Sequence, residues 1–212
     1  MSVTFRDRTA AGQALAAALE DSLPDLGPCT VLGIPRGGVI VAAPVARALD
    51  APLGVVVPRK VGAPDQPELA LGAVAPGGLR YLDRALIARV GVREDELAEL
   101  VAAANHEAER RTSAYGATPD DLEGRVAVVV DDGIATGATA VVAARWARDR
   151  GASRVVLAAP VAPASVAAAL HEAADDVLVL ASPRPFVAVG RWYARFEQTS
   201  DEEVLAVLAA AR

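Results

Sequence analysis

One stretch constrains this chain more than any other: the apolar run Val126–Val130, then Asp131-Asp132, then the small-residue bend Gly133–Thr139. Val126, Ala127, Val128, Val129 and Val130 are mostly β-branched, the pattern of a strand buried on both faces. Such strands belong to parallel sheets covered by helices on both sides, which places the chain in the α/β class. After the bend a helical pattern runs to Asp149-Arg150, with Gly151 as its stop signal.

Ligands of open α/β sheets sit at the carboxyl ends of strands. Amides at a helix start, aided by the helix dipole, bind phosphate. Thr136 and Thr139 add hydroxyl donors, and Gly137 lets the backbone come close. Asp131 and Asp132 repel a phosphate but suit hydroxyl groups and Mg²⁺ beside one. A phosphate next to a diol is a ribose 5-phosphate. The bend has neither the lysine of a P-loop nor G-x-G-x-x-G, which counts against a nicotinamide-dependent Rossmann enzyme. The plain alternative is an ordinary strand–turn–helix with acidic turn residues. Against it, two adjacent aspartates at a buried strand end cost stability unless they bind something.

A second candidate anion site follows the first core strand, Cys29 to Ile34, at Pro35-Arg36-Gly37-Gly38. Arg36 offers two donors to a phosphate. The next strand, Leu53 to Val57, runs into Pro58-Arg59-Lys60, which adds two cations at the same sheet edge.

The order of an apolar strand, two acids and then Thr136-Gly137-Ala138-Thr139 closely resembles the phosphoribosyl-pyrophosphate (PRPP) signature of type I phosphoribosyltransferases. The likeness covers roughly residues 29 to 180. The whole chain also looks like a bacterial subgroup of that family whose label carries no acceptor. The resemblance implies a parallel sheet flanked by helices with a small C-terminal hood. It implies a single domain over 1–212, with a core of about 25–181 and a hood of about 182–200 joined by the N-terminal helix. It also implies Mg²⁺-dependent transfer of 5-phosphoribosyl from PRPP to a nitrogen nucleophile, a nucleobase or small amine in nucleotide metabolism, with release of pyrophosphate. The alternative is a catalytically silent PRPP-binding regulator.

By position, Ala135, Thr136, Gly137, Ala138 and Thr139 would hold the 5-phosphate. Pro35, Arg36, Gly37, Gly38, Arg59 and Lys60 would hold the pyrophosphate. Asp131, Asp132, Arg36 and Lys60 would be catalytic, with Mg²⁺ on the two aspartates directly or through water. The first loop of this family often holds a non-proline cis peptide, here the Pro35–Arg36 bond. The segment after the second strand is a mobile loop that closes over PRPP; here Val61 to Leu69 reads as loop. No general base stands out beyond Glu68, also a candidate for acceptor contact. Enzymes of hypoxanthine and guanine carry an acid where this chain has Ala135, and a lysine that the Ser182–Phe186 stretch lacks. That disfavours those acceptors and leaves adenine and orotate open.

The tail from Ser182 to Phe196 holds four of the chain's eight aromatics. A stacking wall for a planar base is one reading, with Phe186, Val187, Trp192 and Tyr193 as acceptor contacts. A flap that buries a few rings is the other. Thr4 to Leu23 reads as a helix opened by a Thr4–Asp7 capping box, and covering the sheet is preferred over Phe5 and Arg8 touching the site. Asp83–Val90 and Arg93–Arg111 are helical, broken at Gly91; Asp201 to Arg212 closes the chain as a helix. His106 and His171 read as surface residues, and Cys29 as a small core residue.

The net charge of −6 argues against a nucleic-acid surface. One cysteine excludes an internal disulfide and suits a reducing compartment. With no signal peptide or membrane segment recognisable, the expectation is a soluble cytoplasmic protein, with a homodimer as one expected assembly.

Overall fold

The computed structural model describes residues 5–119 and 122–211. In chain order α1 (Arg8–Ser22), β1 (Cys29–Gly33), α2 (Gly37–Ala48) and β2 (Leu53–Val55) come first. Then follow β3 (Arg59–Gly62), β4 (Ala70–Val74), β5 (Arg80–Leu82), α3 (Arg84–Val90) and α4 (Glu94–Tyr115). The last group is β6 (Val126–Val130), α5 (Ala138–Asp149), β7 (Arg154–Val161), α6 (Ala167–Ala173), β8 (Asp176–Ala181) and α7 (Asp201–Ala210).

All five residues of β6 are buried, as a strand without alternation requires. It is the centre of a five-stranded parallel sheet ordered β2-β1-β6-β7-β8. Each face has its own apolar layer. Val31, Val128, Val130 and Val156 pack with Val41 and Val45 of α2 and Leu15 and Leu19 of α1. Leu32, Ala127, Val129 and Leu157 pack with Val142 and Trp146 of α5 and Leu170 of α6. A Cβ on Gly12 would fall 2.4 Å from the Val41 carbonyl oxygen, so glycine there lets α1 lie directly on α2. Cys29 is a buried free thiol, and burial pushes its pKa up.

The strand order reverses between β1 and β6. From β1 the chain moves outward through α2 to β2; from β6 it moves the other way through α5 to β7. A crevice opens where the two exits part, at the strands' carboxyl ends.

Several expected bounds shift. Helix α1 begins at Arg8, and its N-cap is Asp7, whose side chain accepts from the Ala10 amide at 2.9 Å. Phe5, expected inside the helix, instead forms a parallel bridge with Tyr193; Thr4 lies outside the described residues. Val61 and Gly62, read as loop, form part of β3, because β4 gives their backbone a partner. The strands β3, β4 and β5 make a second, antiparallel sheet. Val61, Leu71 and Val74 of that sheet bury against Ile87 of α3 and Leu97 and Ala108 of α4. Gly91 ends α3 in the left-handed conformation (φ 80°), as the break there predicts. Helix α7 opens on a capping box of Ser200 and Glu203, and Arg212 lies outside the described residues. His106 and His171 are exposed. No helix among the described residues is long and apolar enough to cross a membrane.

Candidate active site

The crevice widens into a cleft of about 1030 Å³. Its floor is the ends of β1 and β6. Val31 pairs with Val128 and Gly33 with Val130, so the loops after the two strands leave at the same height. The Ile34 amide still donates to the Val130 carbonyl at 2.9 Å.

The two loops then come closer than side chains allow. A Cβ on Gly37 would fall 1.9 Å from Asp132 Oδ2; one on Gly38 would fall 2.7 Å from the Val130 carbonyl oxygen. The glycine pair is therefore needed for packing of the loops against each other, besides any ligand. The Pro35–Arg36 peptide bond is cis, at the position expected.

Asp131 and Asp132 stand side by side at the head of β6. Asp131 Oδ1 accepts from the Asp132 amide at 2.8 Å. Burial and the charge of Asp132 push the Asp131 pKa well above the usual carboxylate range. Burial also raises Asp132, but Arg8 opposes it, donating through Nε to Oδ2 at 2.7 Å. Tyr193 fixes the same residue from behind, its hydroxyl donating to the Asp132 carbonyl at 2.5 Å.

Past the carboxylates, Gly137 takes a left-handed conformation (φ 82°) as the N-cap of α5, with no side chain closing the helix end. Ala135 and Thr136 are exposed, Thr139 is half-buried and lines the cleft, and Gly137 and Ala138 are buried.

Another part of the lining is basic. Pro35, Arg36 and Gly37 line it from the β1 loop, and Arg59 and Lys60 from the start of β3. Lys60 Nζ pairs with Glu68 Oε2 at 3.0 Å, and the Glu68 side chain is 98% exposed at the rim. Arg36 and Arg59 make no ion pair among the described residues. Burial, with Arg111 nearby, lowers the Arg59 pKa.

Helix α4 supplies a wall that sequence patterns gave no reason to expect: Leu100, Ala103, Ala104 and Glu107. Arg110 and Arg111 donate to Glu107 and hold its carboxyl down at about 2. Arg8 also lines the cleft, which corrects the preferred reading of α1 as sheet cover alone.

The tail divides. Phe186 lines a separate cavity of about 540 Å³ with Ala135, Ser165, Pro183 and Arg184. Val187 is 71% exposed and lines neither cavity. Tyr193 is buried between Phe5 and Phe196, with ring centroids at 5.7 and 4.9 Å, and Trp192 packs against the same cluster. Neither lines the cleft, because pairing with Phe5 turns these rings inward. The aromatic on the cleft wall is Phe196, beside Gln198 and Thr199.

Among the described residues no three His, Cys, Asp or Glu side chains converge on one metal position. Two adjacent carboxylates remain, a donor set that fits Mg²⁺ held largely through water.

The arrangement has relatives. Residues 6–181 match the phosphoribosyl transferase domain family. The Mycobacterium tuberculosis H37Rv protein named "Putative phosphoribosyl transferase Rv0571c" is 46% identical over 215 residues. That alignment covers 98% of this chain and 47% of the mycobacterial one, so the chain spans about half the length of that curated relative. The crystal structure of TT1426 from Thermus thermophilus superposes with a TM-score of 0.80 at 40% identity, covering 98% of each chain. AQ2163 of Aquifex aeolicus, at 13% identity and a TM-score of 0.52, covers 82% of this chain and 73% of its own, and shares the fold alone. By the extent of the domain match and the identity to these relatives, this chain belongs to the phosphoribosyl transferase domain family.

Proposed function

We propose that the chain transfers 5-phosphoribosyl from PRPP to a nitrogen nucleophile, a nucleobase or small amine, and releases pyrophosphate. One observation carries this reading. At a reversal of strand order, a carboxylate pair beside an open helix start shares one cleft with two guanidinium groups that make no ion pair among the described residues. That sequence of charges matches a sugar diol with a phosphate on one side and a diphosphate on the other.

Each group then has a task. Amides of Ala135 to Thr139, with the Thr136 and Thr139 hydroxyls, receive the 5-phosphate. Asp131 and Asp132 accept from the ribose hydroxyls. Bound with PRPP, Mg²⁺ would neutralise diphosphate charge, and Asp131 and Asp132 are the residues to hold it, directly or through water. Arg36, Arg59 and Lys60, with the Gly37 and Gly38 amides, stabilise the charge that grows on the departing pyrophosphate. Electrostatic help of this kind is worth about 10²–10³-fold in rate per group lost. Lys60 is available for it, since an exposed pair such as Lys60–Glu68 is worth only about 0–1 kcal/mol. Glu68, at the rim, is the candidate to touch the acceptor. Phe186, which lines the separate cavity with Ala135, is a second one.

The test is a screen of PRPP and Mg²⁺ against nucleobases and small amines, read by pyrophosphate formation. Acceptor-dependent release that Asp132→Ala abolishes supports the transferase. PRPP binding without release for any acceptor supports the silent regulator instead. Asp132→Ala loses a charged hydrogen-bond partner, and PRPP binding should weaken about 10–150-fold. Unchanged affinity in that variant rejects the assignment.

A further inference from the structure

Arg8 is the charged side chain of α1 that reaches the cleft. It stands apart in sequence from both loops and from Arg59-Lys60, yet it is tied more tightly than any other cation there. Nε donates to Asp132 Oδ2 at 2.7 Å, and Nη1 donates to the Glu197 carbonyl at 2.8 Å. The Phe196 ring lies against the guanidinium, its centroid 3.9 Å from Cζ. Only 12% of the side chain is exposed. A Cβ on Gly37 would fall 2.5 Å from Nε, so the group also lies against the glycine loop.

Neutralising Asp132 needs one of these ties. The others hold the guanidinium plane still, in a part-buried place where freezing a long side chain has a cost in rotamer freedom. Nη2 carries two N–H groups, and among the described residues they donate to nothing. The spare donors therefore belong to a planar fork immobilised between Asp132 and Gly37, on the border of the diol side and the basic wall of the cleft.

We infer that Arg8 is a further binding residue of this site. Its Nε keeps Asp132 in place while its Nη2 donates to the diphosphate of PRPP. The inference rests on the PRPP reading above. It joins α1 and the tail segment to the ligand, since Arg8 opens α1 while Phe196 and Glu197 follow the residues that pair with Phe5 and Arg6. Arginine suits the position: its fork serves a carboxylate and a phosphate at once, which a single ammonium does not.

Calorimetric titration with inorganic pyrophosphate, ribose 5-phosphate and PRPP, each with Mg²⁺, tests it on the wild type, Arg8→Gln and Arg8→Lys. A residue that only steadies Asp132 would affect the diol ligand, ribose 5-phosphate, at least as much as pyrophosphate. The expected result is the opposite. In Arg8→Gln pyrophosphate affinity falls by about 10–150-fold, and the ratio of pyrophosphate to ribose 5-phosphate affinity falls with it. Should Arg8→Gln not fold, Arg8→Lys makes the same comparison with the charge kept, and the ratio should drop several-fold. An unchanged ratio in the folded variant overturns the role of Arg8. A wild type that binds neither PRPP nor pyrophosphate removes the PRPP reading itself, and this inference with it.

Discussion

Asp131 and Asp132 leave the central strand of a parallel sheet, whereas Phe196 and Gln198 hang from a segment with no strand or α-helix of its own. The first pair is placed by register: five ladder pairs between β1 and β6 fix the height of both loops, and two glycines let them touch. The second is placed by a few long-range ties, Phe5 to Tyr193, Arg8 to Glu197 and the Tyr193 hydroxyl to the Asp132 carbonyl. Geometry built from adjacent strands is rigid and local. Geometry built from a few contacts between segments distant in sequence has fewer restraints to hold it.

If the floor is the rigid partner, Gly37→Ala should be the most damaging change. Its Cβ claims the place of Asp132 Oδ2, and displacing a reacting group by about 1 Å costs on the order of 100-fold in rate. Pyrophosphate release should fall by that much while the circular dichroism spectrum is kept. Near-normal release from this variant would mean the loops are as adjustable as the tail.

Tyr193→Phe probes the tie between the two regions. It leaves the Asp132 carbonyl without its partner, which costs about 1–3 kcal/mol when a buried group is stranded. Denaturant titration should show that loss. Unaltered stability would separate the tail from the floor.

Glu107 sharpens the comparison at the α4 wall. Its pKa drops from 4.5 to about 2 on folding, through Arg110 and Arg111. A depressed carboxyl adds stability above its unfolded pKa and loses it as pH falls through the folded one. Wild-type stability should thus decline between about pH 4.5 and 2 more than that of Glu107→Gln, in denaturant titrations at paired pH values. Parallel declines would mean that the arginine pairs add nothing. Smallest of all, Val187→Ser should stay within about 0.5 kcal/mol of wild type and keep full activity, since the side chain is exposed and lines neither cavity. A marked loss of activity would return Val187 to the acceptor site.

The floor was legible because its chemistry is contiguous. Fourteen consecutive residues from Val126 to Thr139 carry strand, acids, bend and helix start, and each local preference agrees with the parallel sheet. The Gly37-Gly38 pair was legible as a glycine-rich turn, but not for its sharpest constraint, since the clash with Asp132 and Val130 involves residues about ninety positions away. The tail misled for a related reason. Trp192 and Tyr193 satisfy a stacking pattern in sequence, yet pairing with Phe5 decides which way they face. Likewise Val61 and Gly62 read as loop until β4 supplies their hydrogen bonds, and the α4 wall carries no signal because Ala103 and Ala104 look like any helix surface.

A crystal structure of the chain with PRPP and Mg²⁺ tests the central claim most directly. The account predicts the 5-phosphate on the amides of residues 135–139 and the ribose hydroxyls on Asp131 and Asp132, with the diphosphate between Arg36 and Arg59. PRPP bound elsewhere, or a filled cleft with both aspartates turned away from the sugar, would contradict it.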